Sequence, residues 1–252
     1  MLARPLASAA TNEFLIEGRT VRLPVEVRDA STMFATFVVP SAAARRLFPQ
    51  SEIRLAEIFP GRGLMSIAAV EYRDNDLGRY NEVAVAFPVR HGPGRPWPLV
   101  GMALDFARHR GGVYIHRLPV TTSFSCSAGR EIWGFPKIVA DITIEDRDGE
   151  RIATLTVDGV HALTLSVRRS TGGRRQFRDA PLDTFSIRDG VTRKTPFVSS
   201  GQGMGLRFGG ARITLGDHPI AQELRALGLP KRPLLSGWVE KFSARFEAAT
   251  PS

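Results

Sequence analysis

The stretch Tyr80-Asn81-Glu82-Val83-Ala84-Val85-Ala86-Phe87-Pro88-Val89 sets the reading of the fold. Strand side chains point alternately to two faces, so Val83, Val85 and Phe87 share one face and Glu82, Ala84 and Ala86 the other. The first face suits a packed core. On the second, two alanines beside a carboxylate leave room for a ligand, and would equally suit a solvent face. Similar apolar, β-branched runs recur at Thr20 to Val27, Met33 to Val39, Glu52 to Phe59, Leu64 to Tyr72 and Gly112 to Val120. Further runs are Ile138 to Glu145, Arg151 to Val157, Ala162 to Arg168, Asp183 to Ile187 and Leu206 to Leu215. Gly, Pro, Asp and Asn separate them, and most gaps are too short for a helix, which predicts antiparallel sheet rather than βαβ units. Asp146-Arg147-Asp148-Gly149 reads as a hairpin turn, with glycine supplying the positive φ.

Helical segments are few. Ser41 is placed to cap Ala42 to Phe48, and Pro49 ends it. Leu99 to Arg108 has helical spacing, and Ser123 or Ser125 starts a short helix through Ile132. Asp217 is a suitable N-cap for His218 to Leu227, with Pro219 in the first turn and Gly228 as the stop. Leu234 to Ala249 fits neither pattern cleanly. His91 to Pro98, Ser170 to Pro181 and the glycine-rich Gly201-Gln202-Gly203-Met204-Gly205 read as loops or connections. With no internal repeat, residues 1–252 are expected to form a single domain, mainly β (α+β) with a few short peripheral helices.

Composition narrows the function. The 252 residues carry 34 basic and 25 acidic side chains, a net charge of +9. The arginines are scattered and no zinc-finger, helix-turn-helix or RNP pattern accompanies them. The excess therefore reads as a solvated surface, with no nucleic-acid partner. No apolar run approaches the ~20 residues of a membrane span. Met1 to Ala10 is a poor secretory signal, so no membrane association and a cytoplasmic location are expected. One cysteine, Cys126, excludes an internal disulfide and a cysteine-rich zinc site, and reads as a small buried apolar group. The five histidines form no HxH or HxxxH pair, so no metal is expected. The loop at Gly201 lacks the strand-before, helix-after setting of a phosphate cradle, and no GxSxG elbow is present.

Lysine is the informative residue. Only Lys137, Lys194, Lys231 and Lys241 occur, and Lys137 alone has apolar neighbours on both sides, in Trp133-Gly134-Phe135-Pro136-Lys137-Ile138-Val139-Ala140. A lysine amine in water titrates near ~10.4, so about one in 2,500 is neutral at pH 7. A nucleophilic lysine needs surroundings that disfavour the charge by about 4 kcal/mol, which burial among apolar groups can provide. The bland alternative is a strand-edge lysine reaching to solvent.

Gly129-Arg130-Glu131-Ile132-Trp133-Gly134-Phe135-Pro136-Lys137 resembles the signature of the acetoacetate decarboxylase family, where a Gly-Arg-Glu stretch leads through Tyr-Pro or Phe-Pro to the lysine that forms a Schiff base. Asp76-Leu77-Gly78-Arg79-Tyr80-Asn81-Glu82 resembles the family's Gly-x-Tyr-x-Glu segment, which carries its active-site glutamate. Gly18-Arg19-Thr20-Val21 and Leu215-Gly216-Asp217-His218-Pro219 are similar more loosely. The activated lysine of acetoacetate decarboxylase is itself a standard example of covalent catalysis. Two departures stand out. Ile138 occupies the place of the founding enzymes' second lysine. Their second pocket carboxylate, by ungapped counting back from Glu82, falls near Ile67, which implies a more apolar pocket here.

The resemblance implies an antiparallel barrel- or cone-like sheet with a central pocket, assembled as a homo-oligomer. It also implies a cofactor-independent lyase that decarboxylates an acetoacetate-like β-keto acid through a Schiff base. Lys137 would be the nucleophile, and Glu82 would steer the substrate carboxylate or relay protons. Arg19 would pair with that carboxylate, and Phe135 and Trp133 would wall the pocket. Two alternatives stay open: a Schiff-base aldolase-dehydratase condensing pyruvate with an aldehyde, and a non-catalytic small-molecule binder on the same fold.

Overall fold

The computed structural model describes residues 12–48, 53–91, 111–169 and 175–252. The expected helix at Leu99 to Arg108 and most of the expected loop after His91 lie outside them. Seven strands close a barrel, in the order β7 (Tyr80–His91), β6 (Arg62–Asn75), β3 (Val25–Pro40), β16 (Leu235–Phe246), β14 (Val191–Phe208), β13 (Arg175–Arg188) and β8 (Gly111–Val120). Strand β8 returns to pair with β7. Short strands extend this sheet: β4 (Ile53–Leu55) pairs with β7, β5 (Glu57–Phe59) with β6, and β17 (Thr250–Pro251) with β14. A second sheet of four strands, β10 (Asp141–Arg147), β11 (Glu150–Val157), β12 (Val160–Arg168) and β15 (Ala211–Leu215), lies apart from the barrel sheet in the hydrogen-bond pattern. The hairpin β1 (Glu13–Ile16) and β2 (Arg19–Arg22) forms a third, two-stranded sheet.

The barrel is mixed, not antiparallel as the spacing predicts. Strand β8 pairs antiparallel with β7 along one edge. Its other edge is shared between two parallel partners, β13 at Gly112 to Tyr114 and β9 (Lys137–Val139) at Leu118 to Val120. Parallel pairing needs a long connection, and such pairs leave no local turn signal to read. The turn at Asp146–Gly149 is as expected: Asp148 and Gly149 both have positive φ, at 52° and 75°, and β10 pairs with β11 across it.

Alternation sorts the side chains into two cores. Val83, Val85 and Phe87 of β7, with Met33, Ala35 and Phe37 of β3 and Met65 and Ile67 of β6, share one apolar cluster with Leu155, Leu163 and Leu165 of the four-stranded sheet. The opposite face of the barrel strands builds a second cluster, including Val25, Val27, Val70, Tyr72, Tyr80 and Ala86. Glu82 belongs to that inner face.

Three helices are present among the described residues: α1 (Ser41–Arg45), α2 (Ser123–Trp133) and α3 (Pro219–Ala226). The N-cap of α3 is His218 rather than Asp217; its Nδ1 accepts from the Ile220 amide at 3.2 Å. Two segments expected as loops are strand. Residues 175–181 form the first half of β13, and Gly201 to Gly205 lie within β14. There the glycines serve packing. A Cβ at Gly201 would overlap the Phe177 ring and stand 2.7 Å from Val239, and Gly203 takes φ 68° between the pairs Gln202–Lys241 and Gly205–Trp238.

Candidate active site

Helix α2 delivers the lysine. Thr122 caps its start, with its hydroxyl accepting from the Ser125 amide, and Gly134 ends it in the left-handed region at φ 69°. A residue with a Cβ is strained there, which explains the glycine. The amides of Gly134 and Phe135 donate to the carbonyls of Arg130 and Gly129, and the chain turns back as extended backbone through Pro136 into β9. Two further bonds fix the turn: Trp133 Nε1 donates to the Glu247 carbonyl at 2.8 Å, and Ser186 Oγ donates to the Trp133 carbonyl at 2.7 Å.

Within β9 the alternation separates neighbours. Lys137 is 4% exposed and points into the barrel, whereas Ile138 is 38% exposed. The residue after the lysine therefore faces the other way. Gly129 makes room for the lysine stem: a Cβ at that position would overlap Lys137 Cδ and lie 2.6 Å from its Cε.

Lys137 and Glu82 flank the same strand. Lys137 sits beside Leu118 on one edge of β8, and Glu82 beside Val120 on the other. Both side chains point inward and converge, with Lys137 Nζ 2.9 Å from Glu82 Oε2. The other carboxylate oxygen, Oε1, accepts from the Tyr72 hydroxyl at 3.3 Å. The Tyr80 ring stacks on Tyr72 with centroids 4.4 Å apart and lies 5.1 Å from the Lys137 ammonium, in cation–π range. Burial, reinforced by the Glu82 charge, pushes both phenols well above the ordinary tyrosine value.

These groups border a cavity of about 160 Å³. Trp133, Phe135, Phe197, Phe242 and Phe246 supply aromatic walls, and Val25, Val27, Leu77, Ile115 and Leu118 supply aliphatic ones. Among the described lining residues Lys137 is the sole cation and Glu82 the sole carboxylate. Trp133 and Phe135 lie where the sequence expects walls, with rings 5.9 Å apart.

Arg19 is not among the lining residues. It is exposed on the β1–β2 hairpin, with its guanidinium 3.9 Å from the centre of the Phe124 ring. The hairpin forms its own sheet, in which Arg19 pairs with Ile16 and shares its face with Val21; at the turn end of that face its side chain stays exposed over Phe124, short of the cavity wall. Ile67 also lies outside the cavity wall, paired with Val85 on the face opposite Glu82, so ungapped counting leads to a position on the wrong side of β6. Sequence reasoning missed Tyr72 and the phenylalanines of β14 and β16. Tyr72 could have been found from strand parity, because Val70 and Tyr72 share a face across from Glu82 and Tyr80.

No group of three His, Cys, Asp or Glu residues suited to a metal occurs among the described residues. No described helix is long and apolar enough to cross a membrane. Cys126 is buried in the inner cluster.

A family model described as acetoacetate decarboxylase matches residues 16–248. The chain belongs to the acetoacetate decarboxylase family. Among solved structures it is similar to acetoacetate decarboxylase from Legionella pneumophila subsp. pneumophila str. Philadelphia 1, with TM-score 0.67 and 16% identity over 100% of this chain and 98% of that one. It is also similar to the enduracididine biosynthesis enzyme MppR complexed with pyruvate (TM-score 0.60, 14% identity, 90% of each chain). A third likeness is to an acetoacetate decarboxylase-like enzyme from Sphingomonas wittichii RW1 (TM-score 0.59, 17% identity, 97% of this chain and 100% of that one). None of the curated proteins matches the sequence. At these identities the structural likenesses speak for the fold alone.

Proposed function

We propose that the protein is a cofactor-independent lyase that decarboxylates a small β-keto acid of acetoacetate type through a Schiff base on Lys137. The observation that carries this reading is the Lys137–Glu82 pair, 2.9 Å apart at the wall of an apolar cavity. A proton moved from the ammonium to the carboxylate turns two ions into two neutral groups, a change that low-dielectric surroundings favour. The amine freed in this way attacks the substrate ketone and, with loss of water, forms an iminium. The bond from the α-carbon to the carboxylate breaks, CO₂ leaves, and the electron pair moves to the iminium nitrogen. The enamine is protonated on carbon, and water then releases the ketone and the amine. Glu82 serves as the proton carrier beside these steps.

Two features of the cavity favour decarboxylation over retention of the substrate's acid group. A carboxylate among phenylalanine rings has poor solvation, and its loss as CO₂ removes that charge. A pyruvate carboxylate must stay through an aldolase sequence, and Lys137 is the one described lining cation, already engaged as the amine. In size, the cavity is close to an apolar cavity of about 150 Å³ that holds benzene, which suits a short keto acid. The aldolase-dehydratase remains the second reading, because the pyruvate-complexed MppR shares the fold.

The test is a panel of acetoacetate, longer 3-keto acids, and pyruvate with an aldehyde, followed by CO₂ release and product mass. Release of CO₂ from a 3-keto acid with the matching methyl ketone is expected. Condensation of pyruvate with the aldehyde and no CO₂ would favour the second reading, and no turnover of either would favour a binder. By homology of fold we also propose a cytoplasmic homo-oligomer, testable by light scattering.

A further inference from the structure

Each turnover discharges the lysine nitrogen once. When the bond from the substrate's α-carbon to its carboxylate breaks, the electron pair moves to the iminium nitrogen, which passes from cation to neutral enamine as CO₂ leaves. Glu82 has by then returned its proton to the hydroxyl that left as water. A carboxylate that is 7% exposed therefore loses the cation beside it. We propose that Tyr72 supports the Glu82 charge, and keeps the carboxylate in place, through the step in which Lys137 ceases to be a cation. The inference rests on the Schiff-base decarboxylase reading and adds a residue to that site.

Among the described residues the Glu82 carboxylate has two polar partners. Oε2 faces the Lys137 amine at 2.9 Å, and Oε1 accepts from the Tyr72 hydroxyl at 3.3 Å. The partners take different oxygens, so the Tyr72 bond persists whatever bonds the lysine nitrogen makes. The tyrosine ring is fixed from two sides. Tyr80 stacks on it at 4.4 Å, and the buried Ala30 of β3 pairs with it on the other side of β6. Burial, with the Glu82 charge, keeps the phenol protonated through the neutral range, so the hydroxyl stays a donor. The bond is long while the ammonium shares the carboxylate. Hydrogen bonds of this kind commonly tighten only as the reaction proceeds.

Other polar groups of the cavity wall are committed elsewhere. Asn75 Nδ2 donates to the Gly78 carbonyl, Asn75 Oδ1 accepts from the Leu77 amide, and Thr184 Oγ1 donates to the Thr195 carbonyl. Lys137 is the sole cation among the described lining residues. A hydrogen bond to a buried carboxylate counts for most when no cation answers its charge. It counts for least once Glu82 has taken the lysine proton and is neutral. Loss of the Tyr72 hydroxyl therefore burdens bond cleavage, and leaves the freeing of the amine as easy as before or easier. Tyr72 in this account is a positioning residue that works through Glu82.

Tyr72→Phe in the full chain keeps the stacked ring and separates the two steps. The rate of borohydride trapping of acetone at Lys137 reads imine formation, because acetone has no carboxylate to lose. CO₂ release from acetoacetate in a single turnover, with protein in excess, reads bond cleavage. Tyr72→Phe is expected to trap acetone at the wild-type rate or faster and to release CO₂ about 10-fold or more slowly. Tyr80→Phe, which leaves the Tyr72 hydroxyl on Glu82, is expected to release CO₂ faster than Tyr72→Phe, and the reverse order overturns the assignment. Unslowed CO₂ release in Tyr72→Phe overturns it too, and an equal loss of trapping and release overturns it in favour of a structural role. A wild-type protein that traps no ketone or releases no CO₂ overturns the decarboxylase reading, and the inference with it.

Discussion

Lys137 Nζ and Glu82 Oε2 lie 2.9 Å apart, at residues 4% and 7% exposed, on strands that flank the two edges of β8. A pair this deeply placed resists loss of either member, because the remaining charge has no solvent to turn to.

Glu82→Gln keeps the shape and a hydrogen-bonding oxygen but cannot take the lysine proton. Turnover is expected to fall by about 10²-fold or more. Circular dichroism should show the same fold, since the glutamine fills the same space and its oxygen can still accept from the Tyr72 hydroxyl. Full activity in Glu82→Gln would remove Glu82 from the chemistry.

Gly129→Ala tests whether the glycine of the motif exists to admit the lysine stem. Within a helix alanine is favoured over glycine by about 1 kcal/mol. The new methyl, however, would overlap Lys137 Cδ and lie 2.6 Å from Cε. Activity is expected to drop at least about 10-fold while the melting temperature moves only a few degrees, the helix gain offsetting an overpacking cost of about 1–3 kcal/mol. Wild-type kcat/KM would show that the stem finds another route.

Phe242 lines the inner cavity and also an outer cleft of about 620 Å³ that includes Arg28, Arg178 and Lys241. Phe242→Ala should join the two spaces. The ratio of kcat/KM for a longer 3-keto acid to that for acetoacetate is expected to rise by about 10-fold or more, in line with 1–3 kcal/mol per added methylene in an apolar pocket. An unchanged ratio would mean that another residue limits chain length.

How much of this was legible follows from the distance over which each signal acts. The face of Glu82 was readable from ten residues of β7, because parity is local. The turn at Asp148-Gly149 was readable for the same reason. The sequence could not show that the face opposite Val83 and Val85 is the inside of a barrel rather than a solvent face, since that depends on β8 closing onto β7. Nor could it show that Gly201 to Gly205 form strand, because Gly201 answers to Phe177 and Val239 and Gly203 to Glu240. Arg19 illustrates the same limit: a loose motif match gave its residue type but not the hairpin that holds it outside.

Acid should weaken the fold through one cluster on the barrel's outer side. Glu223 of α3 accepts from Arg117 and lies 3.1 Å from His116 Nε2, both on β8. Burial disfavours the charged imidazole and lowers His116 despite Glu223. Burial works against the Glu223 carboxylate too, but hydrogen bonds from Arg117 and His116 outweigh it and hold Glu223 below its usual value. Both shifts have the same sign. The unfolded chain binds protons first, so stability is full above about pH 6.5 and is lost as pH falls, first through His116 and then through Glu223. Melting temperature is expected to decline from pH 7 to pH 4, with His116→Gln flattening the upper part of that decline. A flat wild-type profile would contradict this.

The most direct test of the central claim is borohydride reduction in the presence of acetoacetate, followed by peptide mass mapping. The account predicts one adduct, on Lys137, and none in Lys137→Arg, which keeps a cation but cannot form an imine. An adduct on Lys194, Lys231 or Lys241, or CO₂ release by Lys137→Arg at the wild-type rate, would contradict it.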